Sequence, residues 1–277
     1  MADCLSISLV IYHPDETLLH QTLQTLFVAA AKTRTAGLIE RFYLTIVDNT
    51  EQAKVIAPGV THTFFQALDS NWANHVIAFH TPGNIGYGAG HNLAIRTHCE
   101  AFHLVVNPDV VLHEDALIEC IRYLQKNPQV GLVTPLCHRP DGQQESLCKT
   151  YPSVWILLLR GFAPTMVKRH FQRQLAAYES NYPNNANRQD ILIASGCFMF
   201  FRRDALQGVQ GFCEQFFLYF EDFDLSLRLT KNWQIAYVPT ARIVHYGGHS
   251  AKKGFRHIRL FVHSAWIFFK RHGWRIW

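Results

Sequence analysis

No Cys-x-x-Cys pair occurs among the seven cysteines, Cys4, Cys99, Cys120, Cys137, Cys148, Cys197 and Cys213. An odd number without paired spacing supports neither a disulfide framework nor a zinc ribbon, and a reducing, cytoplasmic setting is expected. Long apolar runs are also missing: Val154–Leu159 and Ile191–Phe201 are the longest, well short of the ~18 residues that cross a bilayer. The opening Met-Ala-Asp-Cys has no basic region before an apolar stretch, so neither a signal peptide nor a membrane-spanning helix is expected. Repeats and low-complexity tracts are absent. Acidic residues vanish from 252–277, which hold seven Lys and Arg, whereas the first 251 residues carry 19 Lys and Arg against 21 Asp and Glu. The body is slightly acidic and the tail holds the whole excess, which does not fit a chain that spreads positive charge along a nucleic-acid groove. No nucleic-acid partner is expected.

What is present is a core-forming composition, 48% apolar over 277 residues, which excludes disorder and small disulfide scaffolds. Leu5–Tyr12 is a β-rich apolar run, after which Asp15 can cap a helix with apolar positions at Leu18, Leu19, Leu23, Leu26 and Phe27. The alternation continues with strands at Phe42–Val47, Val76–Phe79, Phe102–Val106 and Val130–Thr134 and helices at Gly88–His98 and Glu114–Gln125. This predicts an α/β fold with a mostly parallel sheet and helices on both faces, its ligands beyond the carboxyl ends of the strands. After Pro135 the alternation stops, and residues 136–190 read as a variable insertion with an Asn-rich loop at Asn181–Arg188. A buried strand within Ile191–Phe201, a helix from about Glu221 and a strand at Ile235–Val238 follow. One compact domain with two lobes divided near residue 135 is expected.

Four segments could carry chemistry. In Asn84-Ile-Gly-Tyr-Gly-Ala-Gly-His-Asn92 three spaced glycines open a helix, an arrangement that either lets backbone N–H groups approach a phosphate or simply makes a tight turn. Asn107-Pro108-Asp109 ends an apolar strand with a carboxylate, which either ligates a hard cation together with substrate phosphates or starts a turn. Phe220-Glu221-Asp222-Phe223-Asp224 gathers three acids at a helix start among aromatic rings. They stabilise the helix dipole, and Asp224 can form a helix-surface ion pair with Arg228; mutual repulsion and lost solvation would also raise the proton affinity of one acid, which suits a general base. His245-Tyr-Gly-Gly-His249-Ser250 offers at most one imidazole to a metal, since Gly247-Gly248 argues for a loop.

In the tail, Ile258, Phe261, Val262, Ala265, Phe268 and Phe269 fall on one helical face, and Arg256, Arg259, His263 and Lys270 on another. With Trp266, Trp274 and Trp277 this is the pattern of an interfacial helix, and equally of a terminal helix packed on the protein.

The order of these segments, from the strand ending at Ile11-Tyr12 through Asp48-Asn49, the glycine loop, Asn107-Pro-Asp109, Ser195-Gly196-Cys197 and Phe220-Glu-Asp-x-Asp224-x-x-x-Arg228, resembles glycosyltransferase family 2. The likeness is to its bacterial rhamnosyltransferase-like branch and covers roughly residues 5–250. It implies a GT-A fold with a nucleotide-sugar-binding lobe at 1–135, an acceptor and catalytic-base lobe at 136–251 and the basic aromatic tail at 252–277. It also implies an inverting transfer from dTDP-L-rhamnose that depends on a divalent cation, Mg²⁺ or Mn²⁺. The acceptor would be a lipid-linked or lipopolysaccharide glycan, met at the inner face of the cell membrane, where the tail would hold the protein. Carried over by position, Asp222 is the catalytic base with Glu221 beside it. Ile11, Tyr12, Asp48, Asn84, Gly86, Gly88, Asn92, Asn107, Ser195 and Gly196 bind the sugar-nucleotide, with Asp48 on its base. Asp109 is the last acid of the metal-binding D-x-D, whose first position is Asn107 here, and His245 is a further metal contact. A UDP-sugar donor (galactose, glucose or N-acetylglucosamine) and a non-catalytic membrane-docked subunit are the competing expectations; a nicotinamide dehydrogenase would need the glycine loop after the first strand.

Overall fold

The structure, a computed structural model, describes residues 3–51, 76–180, 182, 186–247 and 254–277. Gly248, His249 and Ser250, the tail's Lys252 and Lys253 and part of the Asn-rich loop lie outside the described residues.

The chain opens with β1 (Asp3–Ile11), almost wholly buried, and α1 (Glu16–Thr35). Asp15 caps α1 as its position predicts, Oδ1 accepting from Thr17 N and Leu18 N at 3.0 Å, which satisfies two of the free N–H groups of the first turn. β2 (Ile39–Asp48), β3 (Val76–His80), α2 (Tyr87–Thr97), β4 (Phe102–Val106), β5 (Val110–Leu112) and α3 (Ala116–Lys126) follow. Next comes β6 (Val130–His138), in which residue 135, the expected lobe boundary, is an interior position.

The segment read as a loop-rich insertion contains the short strands β7 (Gln144–Glu145) and β8 (Cys148–Lys149) and three helices, α4 (Val154–Phe162), α5 (Thr165–His170) and α6 (Gln172–Glu179). The strand expected within Ile191–Phe201 is broken by Ser195-Gly196-Cys197 into β9 (Ile193–Ala194) and β10 (Phe198–Arg202). The chain ends with α7 (Arg203–Gly208), α8 (Glu221–Leu229), β11 (Gln234–His245) and α9 (Phe255–His272).

The main sheet runs β3-β2-β1-β4-β10-β6-β11-β5, with β7 on β6. The four strands β3, β2, β1 and β4 are parallel, as alternation predicts. The sheet then becomes mixed, because β10 enters antiparallel between β4 and β6. That insertion positions the site. A strand running backwards begins where its parallel neighbour ends, so Cys197 lies beside the end of β4 and its carbonyl accepts from Asn107 N at 3.0 Å.

Apolar residues cover both faces of the sheet, one cluster joining α1 and α3 to it and another joining α7 and α8. A third cluster, Leu157, Phe216, Phe220, Phe268 and Phe269, ties α9 to α4 and to the entry of α8. The tail is therefore a packed helix along this face. Its last residues return to α4, where Val154 N and Trp155 N donate to Arg275 O and Ile276 O at 2.8 and 3.0 Å.

Candidate active site

The carboxyl ends of β2, β4 and β11 and the start of β10 gather most of the residues singled out by sequence. Asp48 ends β2 fully buried; its Oδ1 accepts from Thr50 N at 2.9 Å, while Oδ2 has no hydrogen-bond partner. That leaves one buried carboxylate oxygen free to accept a further N–H. Tyr12 is exposed beside it and donates to Glu51 Oε1 at 3.0 Å.

Other expected contacts are occupied by the fold itself. Ile11 is buried and its carbonyl accepts from Asn49 N at 2.9 Å. Asn84 Oδ1 accepts from Gly86 N at 2.9 Å and so shapes the glycine loop. Asn92 is spent entirely on the opposite turn: Oδ1 accepts from Phe212 N at 2.8 Å, and Nδ2 donates to Phe212 O and Glu214 Oε1. The glycines permit close packing rather than an open cradle. A Cβ on Gly86, where φ is +96°, would come within 2.6 Å of Phe217 O, and one on Gly88 within 2.9 Å of Phe212 Cβ. Tyr87 N donates to Phe217 O at 3.0 Å, so the amides of Gly86 and Tyr87 are both engaged.

Tyr87, within the glycine motif but assigned no role by sequence, links the two halves of the site. Its hydroxyl donates to Gly196 O at 2.6 Å and lies 3.0 Å from Asn107 Oδ1. Burial, and then the negative charge of Glu221, keep this phenol protonated far above its ordinary range.

Asp109 and His245 meet because β11 pairs with β5, His245 opposite Val110. His245 Nε2 is 3.5 Å from Asp109 Oδ1, a buried oxygen with no hydrogen-bond partner. On the other side of the ring, Nδ1 is 3.2 Å from Glu145 Oε2. A carboxylate at Nδ1 fixes the ring and faces Nε2 toward Asp109, the arrangement that orients a ligating imidazole. Burial opposes charge on His245, but Cys197 and then the flanking carboxylates carry its pKa up to about 11, so near neutrality the ring holds both protons and a cation would bind at Nε2 by displacing one. Cys137, Glu145 and His245 also offer three donor atoms within 4.8 Å of one another. Burial pushes the Cys137 thiol up to about 12, so near neutrality it is protonated and a poor ligand. Asp109 with His245 is the better fit to a hard divalent cation. Glu145 was missed by sequence reading because it lies in the segment taken for a variable insertion.

The third group is carried by α8. Tyr219 and Phe220 both adopt left-handed backbone, φ +70° and +65°, a costly conformation for non-glycine residues that recurs at functional sites. It turns the chain so that Glu221 and Asp222 begin the helix. Asp222 Oδ2 accepts from Gly196 N at 2.8 Å and Oδ1 from Phe223 N at 2.9 Å. Gly196 packs closely against it: a Cβ there would lie 3.3 Å from Asp222 Cβ. Burial raises the proton affinity of Asp222, partly offset by the Gly196 N–H and by Lys149. Glu221 is raised further, by burial and then by Asp222, and its Oε2 has no partner. Asp224 does pair with Arg228, at 2.7 Å, but not at a helix surface: it is fully buried and also accepts from Arg271 Nε and His272 Nε2. Glu221 and Asp222 line a cavity of about 630 Å³ together with Lys149, Arg160, Phe162, Tyr178, Ile258 and Phe261.

Residues 12–261 match the family described as "Glycosyltransferase like family 2". The N-acetylglucosaminyl-diphospho-decaprenol L-rhamnosyltransferase of Mycobacterium tuberculosis (strain H37Rv) is 29% identical over 211 residues, 70% of this chain and 67% of that protein. Rhamnosyltransferase WbbL of Escherichia coli (strain K12) is 26% identical over 183 residues, 62% of this chain and 65% of its own. Two solved structures share the fold at low identity. GalNAc-T7 with UDP, GalNAc and Mn²⁺ superposes with a TM-score of 0.63 at 10% identity, over 88% of this chain and 43% of that one. The mannosyltransferase PcManGT from Pyrobaculum calidifontis with GDP-Man and Mn²⁺ gives 0.57 at 13% identity, over 94% and 60%.

Proposed function

The chain belongs to the glycosyltransferase-like family 2, and from that premise we propose that it transfers L-rhamnose from dTDP-L-rhamnose, with inversion, to a lipid-linked or lipopolysaccharide glycan at the cytoplasmic face of the membrane. It is a glycosyltransferase of α/β, GT-A-like fold. The rhamnose assignment is supported by the two relatives, both named as rhamnosyltransferases.

The observation that carries the reaction is the placement of Asp222. A sugar hydroxyl is a weak nucleophile, and its attack needs a base within hydrogen-bond reach. Asp222 is desolvated, held rigid by two backbone N–H groups and open to a cavity large enough for a sugar. It would take the acceptor proton as the hydroxyl attacks the anomeric carbon and the nucleoside diphosphate leaves from the opposite face. Asp48 would hold the base of the nucleotide through its free Oδ2, and Tyr12 would cover it. Asp109 Oδ1 and His245 Nε2 would hold Mg²⁺ or Mn²⁺. When bound, that cation supplies positive charge to the departing diphosphate. The exposed apolar and basic side chains of α9 would rest on the membrane; among the described residues no helix is long and apolar enough to cross one.

Transfer measured with dTDP-L-rhamnose, UDP-galactose, UDP-glucose and UDP-N-acetylglucosamine, using a polyprenyl-diphosphate-linked N-acetylglucosamine acceptor, tests this reading. Turnover with dTDP-L-rhamnose alone is expected. Preference for a UDP-sugar would replace the donor, and Asp222→Asn with wild-type turnover would remove the base assignment.

A further inference from the structure

We propose that α9 sets the position of the catalytic base, with Ser264 and Phe268 as positioning residues that act on Asp222 through the chain on either side of it. The proposal rests on the assignment of Asp222 as the base and adds what holds that base in place. The backbone leading into α8 is in a conformation that its own residues resist. Tyr219 and Phe220 follow one another at φ +70° and +65°, and successive left-handed residues other than glycine persist only where their surroundings over-determine them. α9 supplies those surroundings. Ser264 is buried, and its hydroxyl donates to Leu218 O at 2.8 Å. The Tyr219 hydroxyl lies 3.1 Å from His257 Nδ1. The buried Phe220 ring packs on Phe261 and on Phe268, with centroids 5.2 Å apart in both pairs. Past the base the grip continues: Phe268 meets Phe223 edge-on at 6.0 Å, and Arg271 Nε and His272 Nε2 lie 3.2 and 2.8 Å from Asp224 Oδ1.

One helix therefore holds residues 218 to 220 before Asp222 and residues 223 and 224 after it. A segment gripped on both sides by a rigid element keeps little freedom between the grips, which is what a base needs if it is to meet a hydroxyl in one geometry. Ser264 and Phe268 are not among the residues that line the cavity, and both lie beyond residues 12–261, which match the family. Both are uncharged, so they can act on Asp222 through position alone. The titratable and charged groups around Asp222 are Glu221 on α8, Lys149 on β8, Tyr178 on α6 and Tyr87 on α2, with Arg160 and His257 on the cavity wall. Substituting Ser264 or Phe268 removes none of them. Burial raises the proton affinity of Asp222, so a looser turn that admits water would lower it.

Ser264→Ala and Phe268→Leu, made in the full chain, test the proposal by two readouts. One is the pH profile of transfer from dTDP-L-rhamnose to the polyprenyl-linked acceptor. The other is the titration of the Asp222 carboxyl, followed by carbon-13 resonance in aspartate-labelled protein, with Asp222→Asn identifying the signal. Each variant is expected to lose about 10–100-fold in kcat with the donor KM unchanged. The acid limb of kcat/KM and the carboxyl titration are both expected to move to lower pH. Ser264→Ala deletes one hydroxyl and places the best helix former on a helix, so it keeps the test open if Phe268→Leu does not fold. A carboxyl titration left where the wild type has it, in a folded Ser264→Ala protein, overturns the proposal whatever kcat does. A loss of activity that only follows the loss of folded protein, or a raised donor KM with kcat unchanged, overturns it too. A wild type that transfers no sugar from any donor, while Ser264→Ala still displaces the titration, removes the transferase reading and leaves the hold of α9 on Asp222 standing.

Discussion

Both oxygens of Asp222 already accept a backbone N–H, from Gly196 and from Phe223. Asn keeps the volume and one acceptor oxygen but sets an NH₂ against the other backbone N–H, so the substitution removes one hydrogen bond as well as the ability to take a proton. Asp222→Asn is expected to lose about 1–3 kcal/mol of stability to the unpaired N–H, to keep nucleotide binding and to lose about 10²–10⁴-fold in kcat. Glu221, whose proton affinity is raised furthest, by burial and then by Asp222, is the member of the pair that takes the protonated state first as pH falls. Glu221→Gln mimics that state and should retain activity within a few-fold. The base works as the carboxylate, so kcat/KM must rise with pH through the raised pKa of Asp222 and level off above it. A profile already flat well below the ordinary carboxylate range would contradict this. Glu145 makes a different residue-scale prediction. Its carboxylate holds the Nδ1 proton of His245, so Glu145→Gln should weaken Mn²⁺ binding about 10–100-fold, read from the electron paramagnetic resonance signal of free Mn²⁺ without any turnover.

At the scale of elements, a chain of buried side chains fastens α2 to β1 and β4. Ser6 Oγ is 2.7 Å from His103 Nδ1, Ser8 Oγ is 3.0 Å from His103 Nε2, and Ser8 Oγ is 2.7 Å from His91 Nδ1. Burial drives the pKa of His103 down to about 3 and that of His91 well below its ordinary value. The unfolded chain binds these protons near pH 6.5 and the native chain does not. Their contribution is complete above that pH and falls as pH drops from about 6.5 toward 3, by about 1.4 kcal/mol per pH unit for each proton taken up. Urea midpoints should decline over this window, and His103→Gln should flatten the decline. Part of this scale is legible in the sequence: the carboxyl ends of β1 to β4, the Asp15 cap and the start of α8 at Glu221 fall within a residue of where local pattern and turn chemistry place them, whereas β6 and β11 run past Thr134 and Val238 to His138 and His245. The antiparallel insertion of β10 is not legible, because a buried strand reads the same in either direction. Nor is the use of Asn92, whose partner Phe212 lies 120 residues away. The three helices within 154–179 are short, and two of them lack a buried apolar stripe that periodicity could detect.

Considered as a whole, the molecule has a tail that is both structural and exposed, and this decides how membrane contact can be tested. Removing α9 would strip Arg271 and His272 from buried Asp224, leaving it only Arg228, and would uncover Phe220 and Leu157. A truncated protein that fails to bind vesicles would then report unfolding. The solvent face offers a cleaner probe. Phe255 and Met166 are each 83% exposed, Val262 and Trp266 are half exposed, and Lys270 stacks over Trp266 at 4.9 Å. Changing Val262 and Trp266 to Ser removes no buried contact, so stability should shift by no more than about 0.5 kcal/mol per site. If this face inserts, each lost apolar side chain removes about 1.5–3 kcal/mol of burial at most, and sedimentation with vesicles rich in anionic lipid should fall at least tenfold. Binding should also weaken between about 0.1 and 1 M salt, as the screening length contracts from about 10 to 3 Å. Unchanged binding by a double variant that melts like wild type would show that the Val262 and Trp266 face of α9 makes no membrane contact.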